Sequence, residues 1–404
     1  MNRRTKVLGL LALIAISLVL RPAVAVIGPL LAEITDSLAL SPTDASVLTA
    51  APVLCFGLGA FFSPWLVSRF GVDRAMMLVL LVLAIAMALR GFLGFPGLLV
   101  GTVAAGLSIA AANVLLPSVV RRDFPKSVPL VTGMYTTVLA ISASFAASSA
   151  VSVSGALGGW QAASAIWAAP GLLAIVLWAP KLTRGRNDSI APIAHLGQVN
   201  SLPLHSGLAW LLVLFFGIQS LGFYAILGWL PTALLSKGFT DGDVSFYLGM
   251  ATSIGIPFGL AMSSILGRFK SLAWWASGSS AVSAAGFAGL ATSLASSNAD
   301  ELILLLSSIL IGIGQASTFP ISLSLVSIRA STSAATTQLS AMTQGIGYLI
   351  SALGTFVVGV LATATGSWAV SLWLLTVLTV LQMVCGYIAG KPGVVQDNKK
   401  PRVK

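Results

Sequence analysis

Apolar residues fall in twelve long blocks, roughly 7–33, 45–67, 75–93, 97–120, 128–153, 160–179, 207–231, 244–266, 272–295, 302–327, 334–362 and 368–390. Short polar connections separate most of them. A helix crosses a bilayer with about 20 mainly apolar residues, and each block meets that length. The pattern therefore predicts an all-α membrane protein of twelve transmembrane helices. Between the third and fourth blocks stand only Gly94, Phe95 and Pro96, which predicts a tight turn. The one long polar connection contains Pro180, Pro192 and Pro203 and divides six blocks from six. The expected organisation is a six-helix bundle over 1–180, a linker over 181–206, and a second six-helix bundle with a polar tail over 207–404.

Charge supports the count. Charged residues make up 8% of the chain and hydrophobic ones 57%, whereas a typical soluble domain carries about 25% charge. The net charge of +11 could suggest nucleic acid. Its cations, however, stand singly or in twos and threes between apolar blocks, with no stripe and no interleaved stacking aromatics, so a nucleic-acid partner is not expected. If the N-terminus is cytoplasmic, all Lys and Arg except Arg21, Arg90 and Lys237 fall in cytoplasmic segments. That asymmetry predicts a multi-pass inner-membrane protein with both termini in the cytoplasm. Arg3, Arg4 and Lys6 before an apolar run loosely resemble a cleaved leader. Arg21 and the continuation of the run past Ala25 favour a retained first span.

Arg21 is the exception that carries chemistry. It lies roughly 18–22 Å of helix from either polar flank, where a guanidinium costs about 2.5–3.5 kcal/mol on insertion scales. Pro22 and Pro29 are expected to interrupt the span around it and free backbone carbonyls. The other deep polar side chains are Asn113, Tyr135, Gln219, Tyr224, Gln315, Gln344 and Tyr348. Each must find a partner or a cavity. Bracing between helices remains an alternative for every one of them, Arg21 included. Gln219 and Tyr224 are five apart, about 140° around a helix, so they need not share a face. Arg90, near the outer end of the third span, is expected to snorkel or to brace. No acid lies mid-span, so proton relay through a buried carboxylate is not expected, Glu33 at the outer end of span 1 being the nearest. Two cysteines and two histidines supply no metal site. No nucleophile elbow or phosphate loop is present, so neither a cofactor nor enzymatic activity is expected.

Two weak internal matches point to duplication. Ala25-Val-Ile-Gly28-Pro-Leu30 pairs with Ala225-Ile-Leu-Gly228-Trp-Leu230, and Gly158-Gly-Trp160 with Gly366-Ser-Trp368. Copies of six helices would run in the same sense. The whole resembles the major facilitator superfamily. Leu66-Val-Ser68-Arg69-Phe70-Gly71-Val-Asp73-Arg74 is similar to its cytoplasmic loop motif, with Ser68 where an aspartate is usual. That implies a gating loop of Ser68, Arg69, Gly71, Asp73 and Arg74 whose charge network Ser68 leaves open. A narrower resemblance is to the cyanate permease and 2-nitroimidazole transporter group. It rests on Leu20-Arg21-Pro22, Gly28-Pro29-Leu30-Leu31, Asn113-Val-Leu-Leu-Pro117, Arg121-Arg122-Asp123-Phe124-Pro125, Thr132-Gly133-Met134-Tyr135, Gln219-Ser220, Tyr224, Trp229-Leu230-Pro231, Gln344 and Gly347-Tyr348. The resemblance implies the major facilitator fold, a monomer, and alternating-access transport of a small anionic or polar planar solute. The candidate contacts are Arg21, Asn113, Tyr135, Gln219, Tyr224, Gln315, Gln344 and Tyr348. The rivals are a drug exporter of the same superfamily, which would favour an embedded acid and a large aromatic pocket, and a sensor built on the carrier fold.

Overall fold

The computed structural model describes residues 3–188, 202–269, 271–296 and 300–395. Lys270, most of the linker and the last cations of the tail, used above in the charge count, lie outside the described residues. Among those described, every regular element is a helix: α1 (Arg3–Leu20), α2 (Pro22–Ala25), α3 (Ile27–Leu38), α4 (Pro42–Phe70), α5 (Val72–Leu89), α6 (Gly94–Asp123), α7 (Val128–Leu157), α8 (Trp160–Ala165), α9 (Ala168–Asp188), α10 (Gly207–Leu235), α11 (Asp241–Ser253), α12 (Ile256–Leu266), α13 (Ala273–Ala295), α14 (Glu301–Arg329), α15 (Ser333–Thr365) and α16 (Trp368–Ala389). They account for the twelve blocks once α1–α3, α8–α9 and α11–α12 are each read as one interrupted rod. Among the described residues, ten stretches are long and apolar enough to cross a membrane. The second and ninth blocks fall short of that measure. Only Leu54–Phe70 of α4 forms an apolar helix there, and α13 is diluted by serine and glycine.

The three interruptions have a common cause. Each lies just upstream of a proline, whose missing N–H would have bonded a carbonyl one turn back. Val26 precedes Pro29, Ile166 and Trp167 precede Pro170, and Ile254 and Gly255 precede Pro257. Pro22 adds a second break in the first rod, standing at the first position of α2, where an amide would be unpaired anyway. Pro29 itself is tolerated in the first turn of α3 for the same reason. The turn between the third and fourth rods sits at 90–93 rather than at Gly94–Pro96. Pro96 is accepted within the first turn of α6, so the helix starts two residues before it.

The helices form two compact units, residues 1–125, 134–201 and 333–341 in one, and residues 126–133, 202–332 and 342–404 in the other. In the first, α4 and α5 pack on α6, while α1 and α5 pack on α9. In the second, α13 packs on α14 and α16, α10 on α16, and α11 and α12 on α14. Close approach depends on small residues here: a Cβ on Gly255 would fall 1.9 Å from the Gly312 carbonyl oxygen. The internal match has a structural counterpart, since Gly158 and Gly366 both adopt positive φ, +79° and +65°. Each turns the chain into a rod headed by a tryptophan, Trp160 or Trp368.

Candidate functional site

In the first unit, Arg21 occupies the joint between α1 and α2 and is half-buried. Its carbonyl accepts hydrogen bonds from the amides of Val24 (3.1 Å) and Ala25 (3.0 Å), so the four-residue α2 hangs from its backbone. An interrupted rod leaves backbone groups without intrahelical partners, and here they stand beside a half-buried guanidinium. Asn113 lies in α6 and Tyr135 in α7, 9% and 2% exposed. α2 and α6 are in contact.

In the second unit, four of the five candidate residues meet in pairs. The Gln219 side chain donates from Nε2 to Gln315 Oε1 at 3.1 Å. Tyr224 and Tyr348 stand edge to face at 6.5 Å. Gln219 and Tyr224 thus have different partners, on α14 and α15, as their 140° offset allows. Gln344 is buried on α15, one turn before Tyr348. Phe216 packs against Tyr348 at 5.2 Å and against Phe319 at 6.3 Å. Neither phenylalanine stood out in the sequence, since a phenylalanine in an apolar rod carries no signal of its own. The cluster offers aromatic faces, which suit a planar solute, beside two amides able to donate and accept.

The α4–α5 connection holds the loop residues. Ser68 is exposed, and its hydroxyl donates to its own helix at the Trp65 carbonyl; Arg69, Gly71 and Arg74 are exposed as well. A charge network exists without an aspartate at Ser68. Arg122 donates through both Nη atoms to Asp73, at 2.9 and 2.8 Å, and through Nε to Asp123 at 2.7 Å. Lys181 donates to the other oxygen of Asp123 at 2.6 Å and lies 4.0 Å above the Trp178 ring. Trp178 donates its indole N–H to the Asp73 carbonyl. Three rods, α5, α6 and α9, are joined at one end by this bidentate, charge-assisted set. Arg122 and Asp123 were visible as a motif; Lys181 and Trp178, 58 and 105 residues from their partners in sequence, were not.

Midway along α3, Glu33 accepts from Ser154 Oγ (2.9 and 2.7 Å) and from the Trp160 amide (2.9 Å). It accepts from the first amide of α8 and joins the first, fifth and sixth rods. A hydrogen bond to a charged group contributes about 1.5–3 kcal/mol. Glu33→Ala should therefore lose about 2 kcal/mol of stability, while Glu33→Gln, which keeps an acceptor oxygen, should lose less and still support solute counterflow. Thermal denaturation and counterflow on the same preparations check this; abolished counterflow in a folded Glu33→Gln protein would make Glu33 a coupling group instead. Among the described residues no cluster of His, Cys, Asp and Glu could hold a metal, and Cys55 and Cys385 are buried and unpaired with each other.

Membrane-length rods, three of them interrupted just before a proline and several carrying buried polar side chains, describe a polytopic membrane protein. The chain belongs to the Major Facilitator Superfamily, whose pattern it matches over residues 11–355. It is 32% identical to the 2-nitroimidazole transporter of Escherichia coli (strain K12) over 396 residues, 97% of each chain. It is 26% identical to the cyanate transport protein CynX of the same organism, covering 89% of this chain and 91% of that one. Among solved structures, the proton:xylose symporter XylE shares the fold with a TM-score of 0.74 at 14% identity, over 95% of both chains.

Proposed function

We propose that this transporter moves a small anionic or strongly polar planar solute across a bacterial inner membrane by alternating access. The observation that carries this is Arg21, a cation in mid-rod at a helix break. A guanidinium offers a planar fork of donors that fits carboxylate, nitro or cyanate groups. Asn113, Gln219, Gln315 and Gln344 would supply amide hydrogen bonds, and Tyr135, Tyr224 and Tyr348 would supply rings and hydroxyls. The relatives named for 2-nitroimidazole and cyanate support the same solute class. The aromatic cluster of Phe216, Tyr224, Phe319 and Tyr348 supports a second reading, an exporter of larger planar aromatic compounds. Direct binding to purified protein separates the two: cyanate, nitrate, small carboxylates and 2-nitroimidazole on one side, bulky aromatic cations on the other. Binding of only the latter overturns the first reading.

The expected organisation is a first bundle over 1–180 and a second over 207–404, with both chain ends cytoplasmic. The positive-charge asymmetry supports this orientation. A cysteine placed at position 187 should react with impermeant reagents only from the cytoplasm, and one at 241 only from outside. Labelling of position 187 in intact cells would reverse the orientation.

A further inference from the structure

Arg90 is the most deeply buried cation among the described residues, 1% exposed at the C-terminal end of α5. It does not snorkel. It forms no ion pair among the described residues, and its Nη2 has no hydrogen-bond partner. Nη1 donates to the Ala23 carbonyl at 2.7 Å and Nε to Ser164 Oγ at 3.0 Å. Ala23 lies in α2 and Ser164 in α8. One guanidinium therefore grips the short helical piece in each of the two interrupted rods of the first unit. The fit around it is tight, since a Cβ on Gly101 would lie 2.4 Å from Arg90 Cβ.

Burial excludes direct contact between Arg90 and a solute. Its reach is structural, and it ends beside Arg21. The α2 turn begins on the Arg21 carbonyl, and the carbonyl of Ala23, two residues on, is the one that Arg90 holds. With Pro22 and Pro29 removing amides on either side, α2 has few backbone bonds of its own to fix its orientation. We propose that Arg90 is a positioning residue for Arg21: by clamping Ala23 and Ser164 it sets the orientation of α2 and hence where the Arg21 guanidinium is presented. This rests on the reading of Arg21 as the solute's charge contact, but the clamp itself can be tested without any solute.

Amide hydrogen exchange on purified full-length protein is the deciding measurement. Arg90→Met keeps a long apolar side chain and removes both bonds. Exchange at the amides of Val24, Ala25 and Val26, all bonded within the break, should rise at least about tenfold. Exchange along α6 should stay as in the parent. Ser164→Ala removes only the Nε bond and should leave the α2 amides protected. Should Arg90→Met not fold, Arg90→Gln, with a shorter amide head, should show the same local rise. In the same variant, affinity for 2-nitroimidazole should fall about tenfold, and the loss of two hydrogen bonds should lower the apparent Tm by only a few degrees. Unchanged exchange at 24–26, or a rise spread over all helices, overturns the proposal and makes Arg90 a general brace. If Arg21→Ala leaves 2-nitroimidazole affinity intact, the solute reading fails by itself, and the exchange result still decides the clamp.

Discussion

Arg21→Ala and Arg21→Lys should each lose solute binding while the protein still inserts and folds. A charge-assisted hydrogen bond contributes about 1.5–3 kcal/mol, and a bidentate pair adds geometric selectivity. Loss of about 3 kcal/mol corresponds to roughly a 100-fold weaker Kd. Lysine keeps the charge but presents a single ammonium in place of a planar fork, so it should restore little of the affinity. Arg21 is half-buried rather than fully enclosed, so both variants should stay folded with an apparent Tm near the parent's. If Arg21 were a brace, the pattern would invert: poorly folded variants whose surviving fraction still binds. A stable Arg21→Ala protein with parental affinity would end the anion-site reading and favour the aromatic exporter.

Arg329→Ala should do the opposite. This residue ends α14 and is 5% exposed. Its Nε donates to the Ala389 carbonyl at 2.9 Å, Nη2 to Gly390 at 2.9 Å and Nη1 to Gly393 at 3.2 Å. These are carbonyls at and beyond the C-terminus of α16, the end of a helix that has acceptors without intrahelical donors and a partial negative charge. The cation answers both needs. Truncation should cost about 2–4 kcal/mol, by loss of hydrogen bonds to a charged donor, and lower the apparent Tm on the order of 5 °C. Solute affinity of the folded fraction should not change. A variant of parental stability would show that water serves those carbonyls equally well.

The two arginines also mark how far the primary structure could be read. Arg21 was conspicuous because an apolar run has a fixed physical length and a charge in its middle is costly wherever the helices pack. Arg329 was indistinguishable from any other cation between apolar blocks, because its partners are backbone carbonyls some 60 residues away and backbone carbonyls leave no trace in composition. Arg90 stood between these cases, its place near a span end being legible but its burial and its grip on Ala23 not. The polar residues of the second unit were picked out one by one. That Gln219 joins Gln315 while Tyr224 joins Tyr348 depends on which rods lie side by side. The ion network of α5, α6 and α9 runs through Asp73, Arg122, Asp123 and Lys181, and Ser68 instead bonds within its own helix.

Helix class, rod number and the polar outliers followed from the sequence alone, because the bilayer requires every crossing segment to satisfy its own backbone and to be apolar over a set length. The positions of the helix breaks followed only in the first rod, where Pro22 and Pro29 were expected to interrupt it. Pro29, Pro170 and Pro257 lie just after interruptions, whereas Pro52, Pro64, Pro117, Pro180, Pro231 and Pro320 lie within continuous helices. A proline always removes an amide, but neighbouring rods decide whether the freed carbonyl is answered in place or the helix opens. Partner choice was likewise left to tertiary structure: which carbonyl a buried guanidinium reaches, which amide pairs with which, and which glycine admits a neighbouring backbone. Those depend on distances between residues far apart in the chain, and hydrophobic period and charge count contain no information about them.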